Sequence, residues 1–585
     1  MTESRSFPNL IACALLALVA VSLFAIRLAL PSVLDDRGFY LHGAWVLDAV
    51  QNGHWIVQRN HVGDVTSKPP LYIWLAALAT LPFGRISPFT MLLPGAIATL
   101  AIAATIWRFG SASFGKRAGL LGALAYLLSY VGASQIALAR PDGVFAFTVT
   151  AAALAAFRAW TSGQGWTWFW LAAAAATLVK GPLGLLLAGV GLLAAGWEKW
   201  SGRSAPITGS HRLGVVLFLL ITGGWFVWAY LELGPALIDR MIFRELLRHA
   251  IADSDGSGPG HWFFIQPVNF LWSLAPWSPF ACVGFWRAWA RPASNQDERR
   301  AERFLFCWFV AGLLLFSLAP HQQERHLFPI MPAAALLAGR ELARWASTMS
   351  PRALLGTCAT VAIAGLSVMA VSYHLFLDGS ERVLRAQGMQ ALARSIRERV
   401  GDGFPLTHVD TPFALQFFLS STAPLATVEQ AARLLSGPDA AFIAVRDLDS
   451  LRGALAQKAV PLFVVAQWPA TGEANLRIVS NHARFEWTTD MSAVFNPIVM
   501  RTHGVRFVSK RGREFVLRVT GPAGVVVFAN ESRELQVVRA RIIDRASETL
   551  HERLLAPGDQ WRLGVSRTAA KSRAWASGRA GRLGS

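Results

Sequence analysis

Long apolar runs broken by short polar and basic loops fill the chain as far as about residue 380, and there the pattern changes. The runs show neither the 3.6- nor the 2-residue alternation of half-buried elements. Because lipid offers no partner to an open backbone, and a bilayer core asks for about 20 apolar residues per helix, each run reads as a spanning helix. The predicted helices lie near 10–30, 88–107, 118–138, 143–159, 165–179, 181–197, 213–232, 262–286, 304–320, 327–343 and 353–375. That makes about eleven spans, an odd number. The first run follows Arg5 and lacks a small-x-small cleavage site, so it reads as a retained anchor. Residues 71–83 are too few for a crossing and read as a re-entrant or surface-lying helix.

Beyond residue 380 the apolar runs shorten to strand length. Buried strands are predicted at 404–409, 441–445 and 461–465, with helices over 387–400 and 427–436, which describes a small α/β domain over 379–474. From 475 to 566 short strands such as 514–520, 525–529 and 535–543 alternate with Gly and Pro turns, as in a β-sandwich. The tail 567–585, rich in Ser, Ala, Gly and Arg, reads as flexible. The fold class is therefore mainly α: a polytopic helical bundle over 1–378, then an α/β domain and a β-rich domain on the outer side.

Composition sharpens this picture. Of 585 residues, 53% are hydrophobic and 16% charged, and the formal net charge is +19. In a soluble protein such an excess points to nucleic acid. Here the basic residues gather in short loops and in the tail, so topology accounts for them better. Arg108, Lys116, Arg117 and Arg158, with the basic stretches 198–212, 287–303 and 340–352, fall on one side, which the positive-inside rule makes cytoplasmic. Asp35, Asp36, Lys68, Asp142, Lys180, the 233–261 loop and the segment 321–325 fall on the other. Cys13, Cys282, Cys307 and Cys358 all lie in apolar runs, which suggests neither disulfides nor a thiolate metal site. His249, His261, His321 and His326 contain no i, i+4 pair of a helical zinc motif.

The chemistry collects in the loop 32–70 and in the loop 233–261. Asp35 and Asp36 follow the first helix, where acidic residues also serve as ordinary caps. Asp142, at the outer end of another helix, makes a functional reading stronger, because charge at the edge of a membrane core is costly. Lys68 precedes Pro69-Pro70, whose fixed backbone holds the ammonium at a defined point rather than letting it snorkel freely. Lys180-Gly181-Pro182 serves equally as a turn or as a ligand. Arg240, Arg244 and Arg248 recur at helical spacing and place guanidiniums on one face, suited to phosphate. Carboxylates and cations just outside a membrane helix are the parts needed to move a group from a lipid-linked phosphate.

Taken in order, these pieces resemble the bacterial aminoarabinose transferase family, related to the protein O-mannosyltransferases. The elements are Asp36 and Tyr40, Gly53 and Trp55, Lys68-Pro69-Pro70-Leu71 with Trp74-Leu75, Ala139-Arg140 with Asp142, Lys180-Gly181-Pro182, and Arg325 with Phe328-Pro329 and Pro332. The likeness covers roughly residues 10–345. It implies a GT-C membrane glycosyltransferase that takes a sugar from a polyprenyl phosphate at the outer face of the inner membrane. Carried over, the catalytic carboxylates match Asp36, or Asp35, and Asp142. Lys68 matches the phosphate-binding lysine, Arg244 or Arg248 an arginine of the large outer loop, and Tyr40, Lys180 and Arg325 further substrate-binding positions. Asp36-Arg37 replaces the family's Asp-Glu, Ser67 a glutamate and His326 a tyrosine, which bears on the sugar and on any associated metal.

The implied reaction is an inverting displacement at the anomeric carbon, with lipid A, a glycan or a protein as acceptor. No metal, nucleotide or other cofactor is implied, since the lipid phosphate is itself the leaving group. A lipid-linked-sugar flippase is the alternative, because charges at membrane edges also mark transport paths. Against it stand the absence of an internal hydrophobic repeat and the clustering of charge on one face. A scaffold built around the outer domain leaves Lys68 and Asp142 unexplained.

Overall fold

The computed structural model describes residues 9–35, 37–203, 206–239, 241, 263–319 and 322–400, and those of 406–566 outside 438–440, 457–459, 461, 470–474, 482–490, 496–497, 504, 512, 520–522, 531–533 and 545–547. Two compact units emerge, one of 1–60 and 64–384, the other of 61–63 and 385–585. The tail expected to be flexible, 567–585, lies outside the described residues.

In the first unit the helices are α1 (Asn9–Ala29), α2 (Arg37–Asn52), α3 (Leu71–Thr80), α4 (Pro88–Phe114), α5 (Lys116–Leu127), α6 (Tyr130–Gln135), α7 (Asp142–Ser162), α8 (Trp166–Lys180), α9 (Leu183–Gly189), α10 (Leu193–Trp200), α11 (Arg212–Leu233) and α12 (Pro235–Ile238). After the undescribed stretch come α13 (Ile265–Ser273), α14 (Ser278–Ala290), α15 (Gln296–Leu318), α16 (Met331–Trp345) and α17 (Pro351–Phe376). Among the described residues, seven helical segments are long and apolar enough to cross a membrane: α1, α4, α7, α9 with α10, α11, α15 and α17. The expected eleven is not confirmed, because several of the apolar runs are broken or shortened as helices. The run 118–138 breaks at Leu128-Ser129, 262–286 divides into α13 and α14, and α8 and α16 are 15 residues each.

Small residues let these helices touch backbone to backbone, as membrane bundles require. A Cβ at Gly110 of α4 would sit 2.8 Å from Gly119 Cα of α5, and one at Gly122 would sit 2.9 Å from the Ala335 carbonyl oxygen of α16. The basic-loop end of the bundle is internally neutralised. Buried Glu198 accepts from Arg299 at 3.3 Å and Arg303 at 2.8 Å, and buried Arg340 pairs with Glu298 at 3.1 Å and also with Glu302. Arg117 donates to the carbonyls of Ala346, Ser347 and Met349 that leave α16. Several of the arginines on this side therefore serve helix packing, which suits topology better than nucleic acid.

The second unit opens with α18 (Glu381–Val400), which begins just before the boundary, and continues with α19 (Phe413–Leu419), α20 (Val428–Leu435) and α21 (Leu448–Leu455). Strands β1 (Leu406–Val409), β2 (Phe442–Val445), β3 (Phe463–Trp468) and β4 (Leu476–Ser480) form a sheet in the order β1-β2-β4-β3, parallel only between β1 and β2. Strand β2 is continuously apolar because both of its faces are covered. Phe442 and Ala444 pack with Leu392 and Ile396 of α18, whereas Ile443 and Val445 pack with α20 and α21.

Strands β5 (Met491–Phe495), β6 (Ile498–His503), β7 (Val505–Arg511), β8 (Glu514–Val519), β9 (Ala523–Asn530), β10 (Gln536–Ile543), β11 (Glu548–Leu555) and β12 (Gln560–Ser566) follow. They form two four-stranded sheets, β11-β10-β8-β7 and β12-β9-β6-β5. Alternate residues such as Phe515 and Leu517, Val526 and Phe528, and Trp561 and Leu563 share one apolar core between them.

Two stability predictions come from this packing. Gly122→Val forces α5 away from α16 and should cost about 1–3 kcal/mol, seen as a lower thermal midpoint in detergent. Burial, assisted by His61, pushes the His408 imidazole down to about 4. Because the unfolded ring titrates near 6.5, it takes up a proton that the native ring refuses below that pH. Stability should then fall by about 1.4 kcal/mol per unit as pH drops from 6.5 toward 4. Unfolding midpoints across that range should flatten in His408→Gln.

Candidate functional site

The loop 32–70 is not wholly irregular: α2 occupies Arg37–Asn52, a helix that the apolar-run reading missed because its polar ends make it too short for a span. Phe39, Ala44, Trp45, Val46, Leu47 and Ala49 are buried. Asp48, also buried, accepts from Asn52 at 2.8 Å, from His54 at 3.0 Å and from the Arg59 amide at 2.7 Å. That carboxylate folds the loop back on the end of α2. The separate motif pieces then lock together, for Trp74 Nε1 donates to the Trp55 carbonyl at 2.6 Å and Gln58 Nε2 donates to the same oxygen at 2.7 Å. Lys68 is held just before α3, where its carbonyl accepts from the Thr66 hydroxyl at 3.1 Å.

At the centre is an ion pair made by one helix start and one helix end. Asp142 opens α7 behind Pro141, where a proline sacrifices no helical hydrogen bond and an anion suits the positive end of the dipole. Lys180 closes α8, where a cation suits the negative end. The two helices pack together and return the chain, so the charges meet. Lys180 Nζ donates to Asp142 Oδ1 at 2.5 Å, with the side chains 15% and 6% exposed. Lys180 also lies 5.1 Å from the centre of the Phe145 ring.

Lys68 and Arg325 stand close enough to act electrostatically on both members of that pair. Arg325 is carried by the 3-10 turn Glu324–Leu327, whose Glu324 accepts from the Tyr130 hydroxyl at 2.6 Å. Three cations from three distant segments therefore act on one buried carboxylate, Lys180 in direct contact and Lys68 and Arg325 through their charge. Behind it, buried Gln135 accepts from the Tyr126 hydroxyl at 2.6 Å and donates to the Gly143 carbonyl at 3.4 Å, bracing the start of α7.

Of the residues expected at the site, Asp142, Lys180, Lys68 and Arg325 converge. Tyr40 is half-buried and donates to the Leu34 carbonyl at 3.3 Å, so its hydroxyl braces the entry to α2. Asp35 ends the 3-10 turn Pro31–Asp35, but its side chain, like Asp36 as a whole, lies outside the described residues. Arg240, Arg244, Arg248, His249, His261 and His321 lie outside them too. Arg140, of the Ala139-Arg140 motif, lies against the start of α2, where a methyl group at Gly38 would overlap its guanidinium. That contact brings the first turn of α2 against the corner that leads into Asp142. Among the described residues, no group of three His, Cys, Asp or Glu side chains is placed to hold a metal ion.

Two family profiles match adjacent parts of the chain. The dolichyl-phosphate-mannose-protein mannosyltransferase profile matches residues 67–228, and the Alg9-like mannosyltransferase profile matches residues 246–403. Among curated proteins, the undecaprenyl phosphate-alpha-4-amino-4-deoxy-L-arabinose arabinosyl transferase 2 of Proteus mirabilis is 25% identical over 306 residues, which cover 50% of this chain and 52% of that protein. Transferase 1 of Sodalis glossinidius is 28% identical over 314 residues, covering 51% and 53%. The chain spans about half the length of the curated relatives it matches. In fold it is similar to ArnT from Cupriavidus metallidurans, solved bound to undecaprenyl phosphate, with a TM-score of 0.64 and 18% identity over 83% of this chain and 99% of that one. The fold is that of the GT-C glycosyltransferases. In sequence the chain is similar to the aminoarabinose transferases over about half its length, its long apolar helices make it a multi-pass membrane protein, and the transferase profiles lend the flippase alternative no support.

The pair itself is testable without any assay of activity. Asp142→Asn leaves Lys180 buried without its counter-charge and should cost about 3–5 kcal/mol, measured as a lower midpoint of thermal unfolding in detergent. The double variant Asp142→Asn/Lys180→Met should recover most of that loss.

Proposed function

We propose that the chain is an integral membrane glycosyltransferase that moves a sugar from a polyprenyl phosphate to an envelope acceptor with inversion. The supporting observation is the grouping of Lys68, Lys180 and Arg325 around Asp142. Such a surplus of fixed cations in a site edged by apolar helices suits a lipid phosphate. Asp142, already engaged by Lys180, acts here by holding that lysine in place rather than as the base. The base role falls to Asp36 or Asp35. Its carboxylate takes the proton of the acceptor hydroxyl as that oxygen attacks the anomeric carbon. The bond from that carbon to the phosphate oxygen breaks, and its electron pair goes to the phosphate. Lys68 and Arg325, joined by Arg244 or Arg248, stabilise the negative charge that grows there.

This reading places the protein in a bacterial inner membrane, with the site and the C-terminal unit on the periplasmic side. For the acceptor, lipid A is favoured by the aminoarabinose resemblance. For the sugar, the curated relatives are arabinosyl transferases whereas both profiles describe mannosyltransferases. A pentosyl donor is the better-supported choice, because the match to those relatives is continuous over more than 300 residues.

Membranes containing the full chain should transfer label from undecaprenyl-phosphate aminoarabinose more readily than from the mannosyl analogue. Lys68→Ala and Arg325→Ala should each lower transfer by about 100-fold or more, as loss of a preorganised charge does. Of Asp35→Asn and Asp36→Asn, one should abolish transfer and the other leave most of it. Undiminished transfer in all four variants removes the proposed site.

A further inference from the structure

A second cationic feature lies at the far end of α7. Asp142 opens this helix and Arg158 stands 16 residues later, roughly 24 Å along the axis. There α4 and α7 enclose a groove of about 1110 Å³. That exceeds the roughly 300–1,000 Å³ of a pocket enclosing a drug-sized ligand. Its walls are largely apolar, with Ala104, Ala112, Leu154, Ala155 and Trp168 among them. Phe109 and Phe157 meet edge to face across it, their centroids 5.2 Å apart. Arg108 and Arg158 are the chain neighbours of that ring pair, one on each helix, and both are exposed and line the groove. Among the described residues, no carboxylate lines it. Elsewhere on the basic-loop side Arg299, Arg303 and Arg340 are matched by glutamates, but among the described residues neither Arg108 nor Arg158 forms an ion pair or a side-chain hydrogen bond.

We propose that this groove binds one anionic diacyl phospholipid of the surrounding bilayer, with an acyl chain between α4 and α7 and its phosphate between Arg108 and Arg158. Two guanidiniums without a counter-charge, set at the mouth of an apolar cleft, match a ligand that joins a phosphate to a hydrocarbon tail. Arginines that merely snorkel toward headgroups need no cleft between them. The site is separate from the Asp142 cluster and does not depend on the proposed transferase chemistry.

Native mass spectrometry of the full-length protein in detergent, titrated separately with phosphatidylglycerol and phosphatidylcholine, tests this. Wild type should retain one phosphatidylglycerol at roughly 10- to 30-fold lower lipid concentration than phosphatidylcholine, given the worth of two basic residues near a lipid phosphate. Arg108→Gln/Arg158→Gln should abolish the preference with an unchanged unfolding midpoint. Ala155→Trp, which fills the groove without altering charge, should lower retention of both lipids. A preference that survives the double substitution overturns the proposal, as does retention untouched by Ala155→Trp, which indicates general surface attraction. Displacement of phosphatidylglycerol by an equal amount of undecaprenyl phosphate also overturns it, by assigning the groove to a polyprenyl lipid.

Discussion

The buried ion pair between Asp142 and Lys180 is the constraint around which the rest of the bundle's polar end is arranged. Burying one charge of that size costs several kcal/mol even after relaxation, so each side chain is tolerable only because the other is within 2.5 Å. The pair also satisfies the dipoles of two helices at once, the start of α7 and the end of α8. It therefore fixes their register. Everything else at this end follows from a rigid corner: Gln135 braces it from behind, Gly38 packs against Arg140 beside it, and Lys68 and Arg325 approach it from separate loops.

Such an arrangement separates two jobs that a membrane transferase must combine. The Asp142–Lys180 pair supplies rigidity, whereas Lys68 and Arg325 add charge that Asp142 does not cancel. Under the proposed function, a phosphate arriving from the bilayer would meet cations already in position, with little reorganisation left to do. At the opposite end of the bundle the logic is reversed. Glu198, Glu298 and Glu302 pair with Arg299, Arg303 and Arg340, so these largely buried charges hold helices together. Arg108 and Arg158 depart from that pattern.

Much of this was legible in the sequence, for identifiable reasons. Lys68, Asp142, Lys180 and Arg325 each sit at a boundary between apolar and polar segments, where a charge is costly and so informative. Within the α/β unit β2 was the most readable strand because it is covered on both faces: 441–445 is a short unbroken apolar run. What the sequence concealed was breakage inside apolar runs. Leu128-Ser129 ends α5 without any polar stretch to announce it, and α13 stops at Ser273 inside the run predicted over 262–286, so run length alone does not fix where the helices end. Helix α2 was hidden for the converse reason, since its apolar residues are too few for a membrane signal and its ends are polar. Asp48 left no local signature, because its partners lie on the loop that it organises.

The central claim is spatial, and it is open to direct observation. A cryo-electron microscopy structure of the full chain with undecaprenyl phosphate should place the phosphate within hydrogen-bond distance of Lys68 and Arg325, with Asp142 still joined to Lys180. A phosphate seated away from both cations, or an Asp142 carboxylate released from Lys180 to contact the lipid, would contradict the account.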